Sequence, residues 1–160
     1  AHAGGSAADC VGRTNLLLFQ STAPEKFVTL FYGILDPVGH TLSYCNAGHE
    51  PGLLLDAVGG PRRLTAGGVI LGIMEEFPFE VETVPLRPGA VVVIYSDGIS
   101  EAADRTGELF GTERIEAVVR ENRDASAEEL RNAILAAVRS YSTGVPVADD
   151  ITLLVCRRTA

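Results

Sequence analysis

The chain has 160 residues, 46% of them hydrophobic and 21% charged, which is enough for one globular domain with a real core and too apolar for a disordered chain. Its formal net charge is -8, from 13 Lys and Arg against 21 Asp and Glu. Phosphate backbones and anionic lipid repel such a surface, and the pairs Arg62-Arg63 and Arg157-Arg158 are too short to form a basic stripe, so nucleic acid and membrane are not expected as partners of this segment.

The chain opens on AHAGGSAAD, a loose Gly/Ala/Ser stretch with no basic-then-apolar order, which excludes a signal peptide of the usual kind. The lack of an initiator Met points to a processed or excised segment. Leu16 to Phe19 reads as the end of a helix. Phe27 to Leu35 (FVTLFYGIL) is apolar on both faces and rich in aromatic and β-branched residues, the pattern of a strand buried on both sides. Asp36-Pro37-Val38-Gly39 supplies turn residues, and Thr41 to Asn46 follows as the second arm of a hairpin.

Leu53–Leu55 and Arg62–Thr65 flank a loop ending in Gly59-Gly60 and read as a second hairpin. Phe79, Val81 and Thr83 alternate with Glu80 and Glu82, as in a strand with one wet face. Pro88-Gly89 turns the chain into AVVVIYS, residues 90 to 96, a short buried strand, and Ile99 to Ala102 could start a helix. None of these apolar runs is long enough to span a bilayer.

Beyond it Gly111-Thr112 begins a helix carrying Ile115, Val118 and Val119 on one side. Ser126 and Glu129 have capping-box spacing, and Leu130, Ile134, Ala137, Val138 and Tyr141 recur at helical spacing behind them. Pro146 closes a loop before a final apolar strand, Ile151 to Cys156. Many strands, then helices, then one returning strand is an α+β layer pattern and not a βαβ repeat. With no interdomain linker, residues 1–160 are expected to form a single domain.

Cys10, Cys45 and Cys156 are far apart and odd in number, so neither a disulfide framework nor a zinc site is expected, and a reducing cytoplasm is the better location. Cys45 and Cys156 sit in apolar runs and read as small core residues.

The candidate chemistry lies in two acidic positions. Asp97 stands directly after the buried run AVVVIYS and before Gly98, and Asp149-Asp150 stands directly before ITLLVC. Carboxylates at the ends of apolar strands are held rigidly at the rim of a sheet, and two of them from adjacent strands could converge on a hard divalent cation such as Mg²⁺ or Mn²⁺. Each also has a plainer reading: Asp-Gly is a common turn, and an acidic pair before a strand protects an edge. Asn46, Gly48 and His49 end a strand, where a lone His is more often a surface or hydrogen-bonded residue.

Four segments in order, FVTLFYGILD (27–36), YCNAGHEPGLLL (44–55), VVVIYSDGISEA (91–102) and ADDITLLV (148–155), resemble the catalytic domain of PPM-type metal-dependent serine/threonine protein phosphatases, in the branch typified by stage II sporulation protein E. VGRTNLLLFQSTAPEKFVTLFY resembles the helix and following strand in the middle of that domain, so the resemblance covers about residues 11–157. It implies an antiparallel β-sandwich flanked by helices, in α-β-β-α layers, with two Mn²⁺ or Mg²⁺ ions in a cleft at one end. Asp97 matches the Asp of the family's Ser-Asp-Gly block and Asp149 the first acidic residue of its Asp-Asp/Asn-x-Thr block, both as metal ligands. Gly98 would permit a close turn beside the ion, Asp150 would neighbour the site, and Asn46, Gly48 and His49 match a block near the cleft.

The earlier Gly-Asp and Asp-x-Ser-Gly blocks of the family have no match before Leu16, and Asp9, in SAADC, lacks the required Gly. The chain therefore resembles a partial domain, incomplete at its N-terminal side. At most one weak metal site is expected, and so is self-association as a homodimer through an uncovered strand edge. The implied activity is removal of phosphate from Ser or Thr of a protein, commonly an anti-sigma-factor antagonist in this branch. The alternative is a pseudophosphatase or protein-binding module. No Gly-x-Ser-x-Gly elbow or P-loop supports another hydrolase class.

Overall fold

The computed structural model describes residues 6–23, 25–56, 59–146 and 149–159; the first five residues of the N-terminal stretch and Ala148 of the last family block lie outside the described residues. The chain divides into two compact units, one comprising the residues up to Pro51 together with Leu64–Leu86, the other Gly52–Arg63 and the residues from Arg87 onward.

The first unit begins with helix α1, Ala7–Ser21. It starts inside the stretch expected to be loose, because Ser6 and Asp9 form a capping box. The Asp9 N–H donates to the Ser6 hydroxyl, and the Ser6 N–H donates to the Asp9 carboxylate at 2.7 Å. That bond holds the Asp9 carboxyl below its ordinary range, and this carboxylate is spent on the cap. The sheet of this unit contains β1 (Leu30–Asp36), β2 (Thr41–Ala47), β5 (Gly67–Gly68) and β6 (Glu82–Pro85), in the order β1-β2-β5 with β6 also paired to β2.

The first hairpin forms as its sequence predicts, with Leu30 opposite Ala47 and Asp36 opposite Thr41. Asp36 Oδ1 accepts from the N–H groups of Val38 and Gly39, an Asx-type lock on the turn. Burial on both sides of the first arm is not what the structure has. Among the described residues β1 has β2 as its one strand partner in the sheet, and Ile34 and Leu35 are 39% and 54% exposed.

The alternation over 79–83 is also corrected. The strand is confined to Glu82–Pro85, with Val84 buried and Thr83 exposed, the reverse of the expected wet face. Glu82 is drawn to the inner side because its carboxylate accepts a hydrogen bond from the buried Tyr44 hydroxyl at 2.6 Å, and the register places the two residues opposite each other. Phe79 is buried without belonging to a strand, edge-on to Phe77. Sequence pattern missed a short parallel pairing of β2 with β5, which places Asn46 beside Gly67.

The core of this unit gathers Val11 of α1, Cys45, Ala47, Leu71 and Phe79. Burial pushes the Cys45 thiol up, as befits a packing residue rather than a reactive one. Asn15, also buried, is fully used: its amide donates to the carbonyls of Met74 and Glu75 and accepts from the Gly72 N–H.

The second unit is built on β3 (Gly52–Leu55), β4 (Arg62–Leu64, whose last residue falls with the first unit), β7 (Val91–Tyr95) and β8 (Leu153–Arg157), in the order β4-β3-β7-β8. The expected second hairpin is thus β3 and β4. β7 pairs antiparallel with β3 on one side and with β8 on the other, and its successive residues Val91, Val92 and Val93 are all buried, so both of its faces are covered and its run can be apolar without alternation. β8 starts at Leu153, two residues later than its apolar run suggests, and Cys156 in it is half-buried.

Helices α3 (Gly111–Glu121) and α4 (Ala127–Tyr141) complete this unit. Ile115 and Val119 of α3 and Leu130, Ile134 and Val138 of α4 are buried with Leu53, Val91, Val93 and Tyr95 in one core. Burying an aliphatic side chain of this size contributes about 1.5–3 kcal/mol. The capping box at the start of α4 is present in both its bonds, Ser126 N–H to Glu129 and Glu129 N–H to Ser126. Arg114 donates to the carbonyls of Leu109 and Phe110, pairs with Glu108 at 2.6 Å and lies 4.7 Å over the Tyr141 ring, fastening the loop before α3 to the end of α4.

Candidate metal centre

Strand β7 ends at Tyr95 and a four-residue helix, α2, runs Asp97–Ser100, shorter than the helix that Ile99 to Ala102 suggests and beginning earlier. Asp97 is its first residue and is exposed, while Gly98, Ile99 and Ser100 behind it are buried. Ile99 reaches into the core of the unit, so the turn that presents Asp97 is anchored from below. β7 and β8 are antiparallel neighbours with Tyr95 opposite Leu153. The end of one and the approach to the other therefore lie at the same rim, and the structure brings Asp97 and Gly98 together with Asp149 and Asp150.

The contact between the two segments is made by backbone. A Cβ at Gly98 would come within 2.5 Å of the Asp150 carbonyl oxygen and 3.2 Å of that of Asp149. Ser96 closes the junction. Its N–H donates to the Thr152 carbonyl, its hydroxyl donates to the Asp150 carbonyl at 3.0 Å, and the same hydroxyl accepts from the Thr152 N–H at 2.9 Å. Nothing but its place in the Ser-Asp-Gly block marked Ser96 in the sequence, and it carried no assignment there.

Asp97 and Asp149 each turn one carboxylate oxygen back on the following N–H, that of Gly98 at 2.9 Å and that of Asp150 at 2.7 Å. Asp97, Asp149 and Asp150 are all exposed. Beside them opens a cleft of about 100 Å³ lined by Gly98, Ala102, Val138, Pro146, Asp149 and Ile151, with Glu101 also contributing.

The donor set fits a hard divalent cation in kind, since it offers carboxylate oxygens on a backbone held rigidly by hydrogen bonds. Among the described residues, however, no group of three or more His, Cys, Asp and Glu side chains gathers in a metal-binding cluster.

Asn46, Gly48 and His49 belong to the first unit. The buried Asn46 side chain accepts from the His49 N–H at 2.8 Å and donates to the His49 carbonyl at 2.9 Å, closing a tight turn. Gly48 takes φ +70° in that turn and is packed against Ile70, so a side chain there is excluded twice over. His49 Nδ1 lies 3.2 Å from the Thr29 hydroxyl. All three residues thus have structural partners within the first unit.

Comparison with known proteins agrees with this geometry. The profile of the family described as Stage II sporulation protein E (SpoIIE) matches residues 1–159. The chain is 34% identical over 132 residues to Protein IcfG of Synechocystis sp., covering 82% of this chain and 21% of that protein. It is 28% identical over 145 residues to phosphoserine phosphatase RsbU of Bacillus subtilis, covering 90% of this chain and 43% of that one. The chain thus spans less than half the length of these curated relatives. Among solved structures, the SiaA-PP2C domain of Pseudomonas aeruginosa superposes with a TM-score of 0.82 at 22% identity, over 97% of this chain and 60% of that one, which establishes the α+β PP2C fold. With both blocks that bear the candidate ligands meeting at one sheet rim, the chain belongs to the stage II sporulation protein E family of PPM-type phosphatase domains.

Proposed function

We propose that this chain is part of a phosphatase domain that removes phosphate from phosphoserine or phosphothreonine of a protein, with Asp97 and Asp149 as ligands to Mn²⁺ or Mg²⁺. The observation that carries this reading is the close contact of Gly98 with the backbone of Asp149 and Asp150, which sets the two carboxylate-bearing segments side by side. A bound divalent ion of this kind activates water for attack on phosphorus and neutralises charge on the phosphoryl oxygens. The chain's own contribution is to hold two acidic side chains at one rim, anchored by Ile99 in the core, with Gly98 letting the backbone of Asp149 and Asp150 approach closely.

RsbU, 28% identical over 145 residues, is described as a phosphoserine phosphatase. This supports a phosphoprotein substrate, and the family resemblance refines it to a phosphorylated anti-sigma-factor antagonist in bacterial signalling. The family match over residues 1–159 supports one phosphatase domain spanning the chain. The free thiols of Cys10, Cys45 and Cys156 support the cytoplasm as its place of work. Among the described residues no helix is long and apolar enough to cross a membrane. Exposed Ile34 and Leu35 on β1 support self-association of the isolated chain, which light scattering at roughly tens of micromolar would detect and a clean monomer would contradict.

A second reading, a protein-binding module without catalysis, is favoured by the absence of a three-residue metal cluster among the described residues. Hydrolysis of p-nitrophenyl phosphate and of a phosphoserine protein, with Mn²⁺ added, separates the two. It should be measured on this chain, on its Asp97→Ala variant, and on a form extended upstream to the length of its relatives. The phosphatase reading expects Mn²⁺-dependent turnover, strongest in the extended form and lost in the variant. Turnover that survives Asp97→Ala contradicts the ligand assignment, and inactivity of every form leaves the binding module as the answer.

A further inference from the structure

We infer that Ser96 is a positioning residue whose hydroxyl holds the Asp149-Asp150 segment against the Asp97 turn, and so sets the spacing of the two candidate metal ligands. The inference deepens the metal-site reading above and rests on it for its consequence in metal binding; the structural part stands independently.

Ser96 occupies the N-cap position of α2 and makes no side-chain cap hydrogen bond.

The backbone at Ser96 is extended, with φ -82° and ψ 163°, and a serine in that position ordinarily folds its hydroxyl onto the N–H groups of its own helix. Here the hydroxyl is turned across the sheet rim instead. It donates to the Asp150 carbonyl and accepts from the Thr152 N–H, so both bonds go to the segment that carries Asp149 and leads into β8, and none to the helix that carries Asp97. With the Ser96 N–H to Thr152 carbonyl bond, three hydrogen bonds join one residue to the lead-in of β8. They lie next to Asp97 in sequence and engage both backbone groups of Thr152 and the Asp150 carbonyl, which Gly98 also abuts. Partners that orient metal ligands in this way typically change metal affinity by about 10–100-fold when removed.

The test uses this chain with Ser96→Ala, Ser96→Thr and Asp97→Ala variants and two readouts: Mn²⁺ affinity by titration calorimetry, and amide hydrogen exchange of the metal-free protein. Ser96→Ala should weaken Mn²⁺ binding by about tenfold and speed exchange at the Thr152 amide, with the amides of α4 unchanged. Ser96→Thr keeps the hydroxyl and should restore both. Wild-type affinity and unchanged Thr152 exchange in Ser96→Ala overturn the inference, as does a loss of protection spread evenly over the unit. If the wild-type chain binds no Mn²⁺, or Asp97→Ala binds it equally well, the metal reading fails, and Thr152 exchange alone then decides whether Ser96 positions the segment.

Discussion

Gly98 and Asp150 approach so closely that the smallest possible side chain at Gly98 would meet the Asp150 carbonyl oxygen at 2.5 Å. The glycine is needed here for space and not for an unusual backbone angle, since it lies within α2 and is not among the positive-φ residues. Gly98→Ala should therefore force the Asp149-Asp150 segment outward, at a cost of about 1–3 kcal/mol for overpacking. Urea denaturation would measure it. Gly60→Ala is the control for a clash-free site, because a Cβ there meets nothing within 4 Å and its backbone is not among the positive-φ glycines.

Ile134 lies at the centre of the second unit's core and is fully buried. Ile134→Ala should cost about 2–5 kcal/mol, the range for an aliphatic side chain cut back in a packed interior. The expected outcome is a lower denaturation midpoint with an unchanged slope. A shift below about 1 kcal/mol would show that α4 is not held by this core.

Ser126 closes the capping box of α4 with Glu129. Ser126→Ala should destabilise the protein by about 1 kcal/mol, read as a lower midpoint in thermal or urea unfolding. Ser126→Asp keeps an acceptor for the Glu129 N–H and should recover most of the loss.

Asp36 gives a pH-dependent contribution. The N–H groups of Gly39 and Val38 hold its carboxyl below the ordinary value of 3.8. A carboxyl depressed in the folded state stabilises that state once pH exceeds the unfolded value, and the contribution disappears as pH falls through the folded value. The first hairpin should thus lose this support only below about pH 4, and Asp36→Asn should flatten that part of the stability profile. Carboxyl chemical shifts followed by acid titration would check the direction, and a folded value above 3.8 would contradict the turn geometry.

Several parts of the fold were legible because they depend on near neighbours. The Asp36-Pro37-Val38-Gly39 turn, the capping box at Ser126 and the apolar spacing of α4 all rest on residues within four positions of one another. The errors arose where a distant partner decides. Phe27 to Leu35 has the composition of a buried strand, but exposure depends on its place in the sheet order, and β1 lies at an edge. The phase of β6 was set by Tyr44, which draws Glu82 inward across the sheet.

The candidate site divides in the same way. Asp97 and Asp149 could be named from the sequence because each abuts an apolar run, and the family blocks around them are contiguous in the chain. Their nearness could not, since Asp97 and Asp149 are brought to one rim only by the antiparallel pairing of β7 with β8. The work of Ser96 was likewise invisible: a serine hydroxyl before a short helix has a local cap as its default partner, and only the tertiary arrangement offers it the Asp150 carbonyl and the Thr152 N–H instead. Composition and local pattern thus determined the α+β class, the turns, the helix caps and the identity of the acidic residues. Tertiary structure decided which strands became edges, which acidic segments became neighbours and which hydroxyl bonds from one to the other, because those outcomes depend on pairing between segments far apart in the chain.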